Sequence, residues 1–185
     1  MQDQGYLHSP GDRVSSAPYC QCSSLQVDLQ SKVRALTSPL FYDHWTRRVD
    51  VVETHYACVF LTDTFAYKLK KPIRAGRLDQ STLAARYVGC CEEVRLNRRL
   101  APHIYLGVEP LTCDADLHLG LRGAGRIVDW LVKMRRLPAE LMLDEALRRG
   151  EVRSERLDAV GRLLTAFYRS QSPLPCDAET YLLRM

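Results

Sequence analysis

"VVETHYACVFLTDTFAYKLKKP", Val51 to Pro72, decides how the chain folds. It is dense in Val, Tyr, Phe and Thr, residues that suit a pleated, half-buried strand, and it breaks at "ETH" and again at "TDT". This predicts a meander of three short strands. It begins at Arg48 and is closed by Pro72, which has no N–H to donate to a ladder. The third strand carries an unusual charge pattern. The chain has five lysines, and three of them, Lys68, Lys70 and Lys71, fall here, while nearly all other positive charge is arginine. Side chains alternate along a strand, so Lys68 and Lys70 share one face and Lys71 takes the other. A lysine on a packed face is costly unless its charge is paired. Lys68 or Lys70 therefore calls for a carboxylate partner or an anionic ligand. The competing reading is an edge strand whose lysines discourage aggregation.

The segment that follows, "LDQSTLAARYVGCCEEVRLNRRLAP", reads as a helix capped by Ser81 or Asp79 and stopped before Pro102. Leu83, Tyr87, Cys91 and Val94 make one apolar stripe centred near Tyr87. At 100° per residue Glu92 falls opposite the stripe, and Glu93 falls at its border. A border carboxylate can reach a lysine on the sheet that the helix covers; the competing reading of Glu93 is a surface acid among Arg95, Arg98 and Arg99. Cys90 and Cys91 read as core and flank of this helix.

Two more strands follow at "IYLGVEPLTC" and "GRIVDWLVKMRRLP", with a short one at "LHLGL" between turns at "DAD" and "RGAG". Beyond Pro138, "AELMLDEALRRGEV" and "SERLDAVGRLLTAFYRSQ" are amphipathic helices separated by Gly150. Strands with one inserted helix, then helices, give an α+β class. The division expected is a flexible N-terminal arm over residues 1–36, with a short helix near "LQSKVRALTSPLFY", a sheet unit over 37–138, and a helical segment over 139–185.

Net charge of +4 with scattered arginines supplies no basic stripe, so nucleic acid is not an expected partner. No apolar run approaches the roughly 18 residues of a membrane span, and "MQDQGYLHSPGDRV" lacks the pattern of a secretory signal. Seven cysteines without paired CxxC or His spacing argue against a zinc site and for reduced thiols in a cytoplasmic protein. His55 at the first hairpin tip and the Asp43–His44 neighbours are weaker candidates; adjacent residues do not face each other on a helix or strand.

"FAYK" resembles the VAIK segment of protein-kinase-like folds. The blocks "VVETHYACVFLTDTFAYKLKKP", "LDQSTLAARYVGCCEEVRLNRRLAPHIYLGVEPLT", "DWLVKMRRLP" and "LDAVGRLLTAFYRS" resemble, in order and over roughly Val49 to Ser170, a bacterial aminoglycoside-phosphotransferase-like family often fused to a P-loop ATPase domain. The resemblance implies a kinase-like N-lobe, an antiparallel sheet of about five strands with one inserted helix, followed by the first helices of a C-lobe. It implies ATP as ligand, Lys68 as the phosphate-contacting lysine and Glu93 as its helix partner, with Glu92 the register alternative. Met134, Arg135 and Leu137 would lie in the hinge, where backbone groups meet an adenine edge. A small hydroxylated molecule would be the phosphoryl acceptor.

The sequence departs from that pattern in two ways. The hairpin tip "ETHYA" has no glycine-rich phosphate loop, and the chain contains neither an HxD triplet of a catalytic loop nor a GxxxxGK[ST] motif. The expectation is an ATP-binding portion inactive in phosphoryl transfer by itself, with Mg2+ bound only alongside a second lobe. The alternative is a truncated, non-catalytic remnant that self-associates through the apolar faces of its last helices. The arginines of "MRR" are read as solvated or paired with nearby acids.

Overall fold

The computed structural model describes residues 27–172. The remainder of the 1–36 arm and the end of the 139–185 segment lie outside the described residues. The first element, α1 (Leu29–Thr37), begins at an Asp28 N-cap whose carboxylate accepts from Ser31 N–H. It buries Leu36 completely, so the segment read as an arm ends in a packed helix.

The meander is present as β1 (Asp50–Glu53), β2 (Ala57–Leu61) and β3 (Phe65–Lys70). A two-residue hairpin, β4 (Arg74–Ala75) and β5 (Leu78–Asp79), turns at Gly76 and was not visible in the residue pattern. Then come α2 (Leu83–Asn97), β6 (Tyr105–Cys113), β7 (Leu119–Leu121) and β8 (Arg126–Arg135). The main sheet is antiparallel, in the order β1-β2-β3-β8-β6-β7. It has six strands rather than about five, because "LHLGL" does pair with β6. The last strand thereby returns to lie directly beside the lysine strand. Met134 stands opposite Ala66, and Val132 opposite Lys68.

Each face of this sheet has its own cover. On one face Phe60, Tyr67, Leu69, Leu111 and Leu131 pack against Leu36 of α1 and Tyr42. On the other, Cys90 and Val94 of α2 pack against Val132, with Trp130, Val108 and Met134 around them. Thr82, not Ser81 or Asp79, caps α2, accepting from Ala85 N–H; Asp79 instead accepts from the backbone and hydroxyl of Ser81.

The buried face of α2 also differs from the expected stripe. Arg86, Cys90 and Val94 are buried, whereas Tyr87 is largely exposed and rests its ring on Trp130 at 4.4 Å. The physical reason is charge. Arg86 and Glu93 have partners on the sheet, and satisfying them turns the helix about one residue away from its most apolar side.

Beyond Arg135 the chain leaves the sheet for α3 (Leu143–Arg148) and α4 (Ser154–Arg169). No residue of α4 is buried, and Leu157, Val160, Leu163, Leu164 and Tyr168 are exposed. Among the described residues no helix is long and apolar enough to cross a membrane.

Candidate functional site

Alternation along β3 places Ala66, Lys68 and Lys70 on the face that α2 covers. Lys68 Nζ lies 2.8 Å from Glu93 Oε1, the ion pair expected from the sequence. Lys70 Nζ lies 2.7 Å from Glu93 Oε2, so the second lysine of that face uses the same carboxylate. Glu92, the register alternative, points away and pairs with Arg95 on the helix surface. Lys71, on the opposite face, reaches Glu53 of β1. Burial pushes the Glu93 carboxyl up, but hydrogen bonds from Lys68 and Lys70 outweigh it and hold the group below the ordinary glutamate range.

Next to Lys68 the same face is apolar. Val59 and Leu61 of β2 stand opposite Lys68 and Ala66, and Met134 of β8 stands on the other side of Ala66. Val59, Leu61 and Met134 are half-buried and Ala66 is buried, so a shelf of small and flexible apolar groups adjoins a half-buried ammonium. Where β8 ends, Arg135 N–H donates to Ile104 O and Arg136 N–H donates to Thr64 O. The backbone donor at Arg135 is therefore already engaged. The Arg136 guanidinium clamps the same junction, donating to Thr62 O at 2.8 Å and pairing with Asp50 at 3.1 Å. Leu137, exposed just past this clamp, is the next backbone donor after the shelf.

Two further charge clusters were not legible beforehand. Asp129, on β8 past the last β3–β8 pair, is almost fully buried and takes Lys32 of α1 at 2.7 Å and Arg86 of α2 at 2.7 Å. Its partners come from elements far apart in sequence, and only the charge–apolar mixture of "VDWLV" hinted at it. Beside this cluster lies a cavity of about 530 Å³ whose lining includes Lys32, Thr82, Arg86 and Arg126. Glu109 of β6, also buried, takes Arg122 and Lys133, and Lys133 sits 4.4 Å above the ring of Phe65. His44 contacts Asp43 at 3.3 Å and Thr62 at 3.1 Å. The two neighbours do meet, contrary to expectation, because they lie in neither a helix nor a strand. His55 is exposed at the β1–β2 turn, stacked edge-on against Tyr56.

Uncharacterized proteins of Mycobacterium bovis and of two Mycobacterium tuberculosis strains are similar to this chain, each 32% identical over 121 residues, or 65% of it. The chain spans 22% of the length of these curated relatives. No family model matches the chain, and no solved structure does.

Proposed function

We propose that the chain is the nucleotide-binding portion of a kinase-like phosphotransferase, with a sheet unit of the protein-kinase N-lobe type. The observation that carries this reading is the Lys68–Glu93 pair. A lysine on the third strand of a meander is held at 2.8 Å by a glutamate on the helix inserted after it, and about a third of its side chain remains open to solvent. A kinase needs this arrangement to hold phosphates. The surroundings suit ATP. Lys68 supplies a compact point charge for phosphate oxygens. Val59, Leu61, Ala66 and Met134 offer an apolar shelf for a purine, and the Leu137 backbone N–H is the proposed donor to a ring nitrogen.

Glu93 orients Lys68 and contacts no substrate itself. Binding is all that these residues account for. Phosphoryl transfer also needs a carboxylate that positions the attacking hydroxyl, and the sequence has no HxD triplet to supply one. The acceptor, a small hydroxylated molecule, and a cytoplasmic setting belong to the same proposal. Calorimetric titration with ATP tests it. The parent chain binds weakly and Lys68→Ala does not bind, while a radiolabelled-ATP assay shows no turnover in either. Equal binding by both proteins defeats the assignment of Lys68.

A second reading has its own support. The apolar stripe of α4, from Leu157 to Tyr168, is exposed and suits association between copies of the chain. Light scattering decides it, since a monomer at high concentration rules it out.

A further inference from the structure

Each oxygen of Glu93 holds a different lysine, and the two lysines are not equivalent. The Lys68 side chain is 31% exposed and faces the apolar shelf; that of Lys70 is 10% exposed. The Lys70 stem also runs across α2. Its Cε and Cδ pass 3.5 and 3.7 Å from the place a β-carbon would take on Gly89, the glycine of α2 one turn before Glu93. One carboxylate between two ammonium groups leaves an excess positive charge, and only Lys68 can carry that charge to a ligand.

We propose that Lys70 is the positioning residue of this cluster: it keeps Glu93 ionised and fixed against β3 on its own, so that Lys68 can turn its ammonium to a polyphosphate. The inference rests on the nucleotide reading for the identity of that anion. With a single lysine, the turn would strand a largely buried carboxylate, and an uncompensated charge away from water is unfavourable. With two lysines Glu93 never lacks a partner. Glu93 also lies near Tyr105 of β6 and Cys90 of its own helix. Both stay neutral at ordinary pH, because burial raises the Tyr105 phenol, with the Glu93 charge adding to it, and burial pushes the Cys90 thiol up to about 12. Neither can replace Lys70. The excess charge also sets the ligand class, favouring a nucleoside triphosphate over the uncharged nucleoside.

Two measurements on the folded chain decide this. The Glu93 side-chain carboxyl is titrated by carbon-13 NMR in the parent, Lys68→Met, Lys70→Met and Lys70→Arg, each with and without ATP, and ATP and adenosine affinities are measured by calorimetry. In Lys68→Met, Glu93 still titrates below the ordinary range, because Lys70 suffices. In Lys70→Met saturated with ATP, Glu93 moves up towards the ordinary value and ATP affinity falls about tenfold or more, and Lys70→Arg restores the titration. A Glu93 that returns to the ordinary value in Lys68→Met, or that titrates in ATP-bound Lys70→Met as in the parent, overturns the inference. If the parent binds no ATP, the nucleotide reading fails; the free Lys68→Met titration then still decides whether Lys70 alone holds Glu93.

Discussion

All five lysines of the chain are ion-paired: Lys32 with Asp129, Lys68 and Lys70 with Glu93, Lys71 with Glu53, and Lys133 with Glu109. Lysine is thus used here for fixed partners at the sheet. Glu93 shows what one such residue controls. Replacing it by Gln leaves two ammonium groups on a packed face, at a cost of about 2 kcal/mol at neutral pH. That is below the roughly 3–5 kcal/mol of a fully buried pair, since Lys68 keeps access to water. The sign of the pH dependence follows from the lowered carboxyl. Its stabilising contribution is complete above the ordinary value of 4.5 and is lost as pH falls through the lower folded value. Urea unfolding of parent and Glu93→Gln from pH 7 to pH 3 should show a gap that is constant to about pH 5 and closes below. A gap that persists unchanged at pH 3 means the carboxylate charge is not what stabilises. Glu92→Gln, on the solvent side, should leave the unfolding curve where it is. The Lys68–Glu93 pair was legible because strand parity and helix angle both pointed to it. Asp129 was not, because Lys32 lies 97 residues and Arg86 43 residues away from it.

At the scale of elements, α2 is seated by charge as much as by apolar contact. Arg86 ties its first turns to Asp129, Cys90 and Val94 fill the middle, and Glu93 ties it to β3. An apolar stripe alone mislocates such a face by one residue, because the rule assumes that buried positions are apolar. Asp129→Asn should therefore loosen α1 and α2 together, costing about 3–5 kcal/mol in chemical denaturation; a loss under 1 kcal/mol would show that the two cations find other partners. Glycines separate by the space around them. A β-carbon on Gly125 would stand 2.2 Å from Cys113 O, so Gly125→Ala must push β8 away from the end of β6 and is expected to lower the melting temperature sharply. On Gly89 it would meet only the Lys70 stem at ordinary contact distance, and Ala is the better helix former, so Gly89→Ala should be neutral or stabilising by up to about 1 kcal/mol. The opposite ranking of these two variants would contradict the packing described.

Among the described residues three carboxylates, the buried Asp129 and Glu109 and the largely buried Glu93, each hold two cations. In the Glu93 cluster the half-buried cation, Lys68, adjoins an apolar shelf, and it is for that cluster that nucleotide binding is proposed. The strand–helix–strand order and the antiparallel sheet were legible because alternation and turn residues are local signals. The edge position of the "LHLGL" strand and the buried clusters were not, because they depend on which strands come to lie side by side. Nucleotide binding at Lys68 is tested by titrating the nitrogen-15-labelled chain with ATP and following backbone amide shifts residue by residue. Saturable changes are expected at Ala66, Lys68, Glu93, Met134 and Leu137, and they vanish in Lys68→Ala. No change on the sheet face, or changes gathered instead around Lys32 and Arg86 at the cavity between α1 and α2, would contradict it.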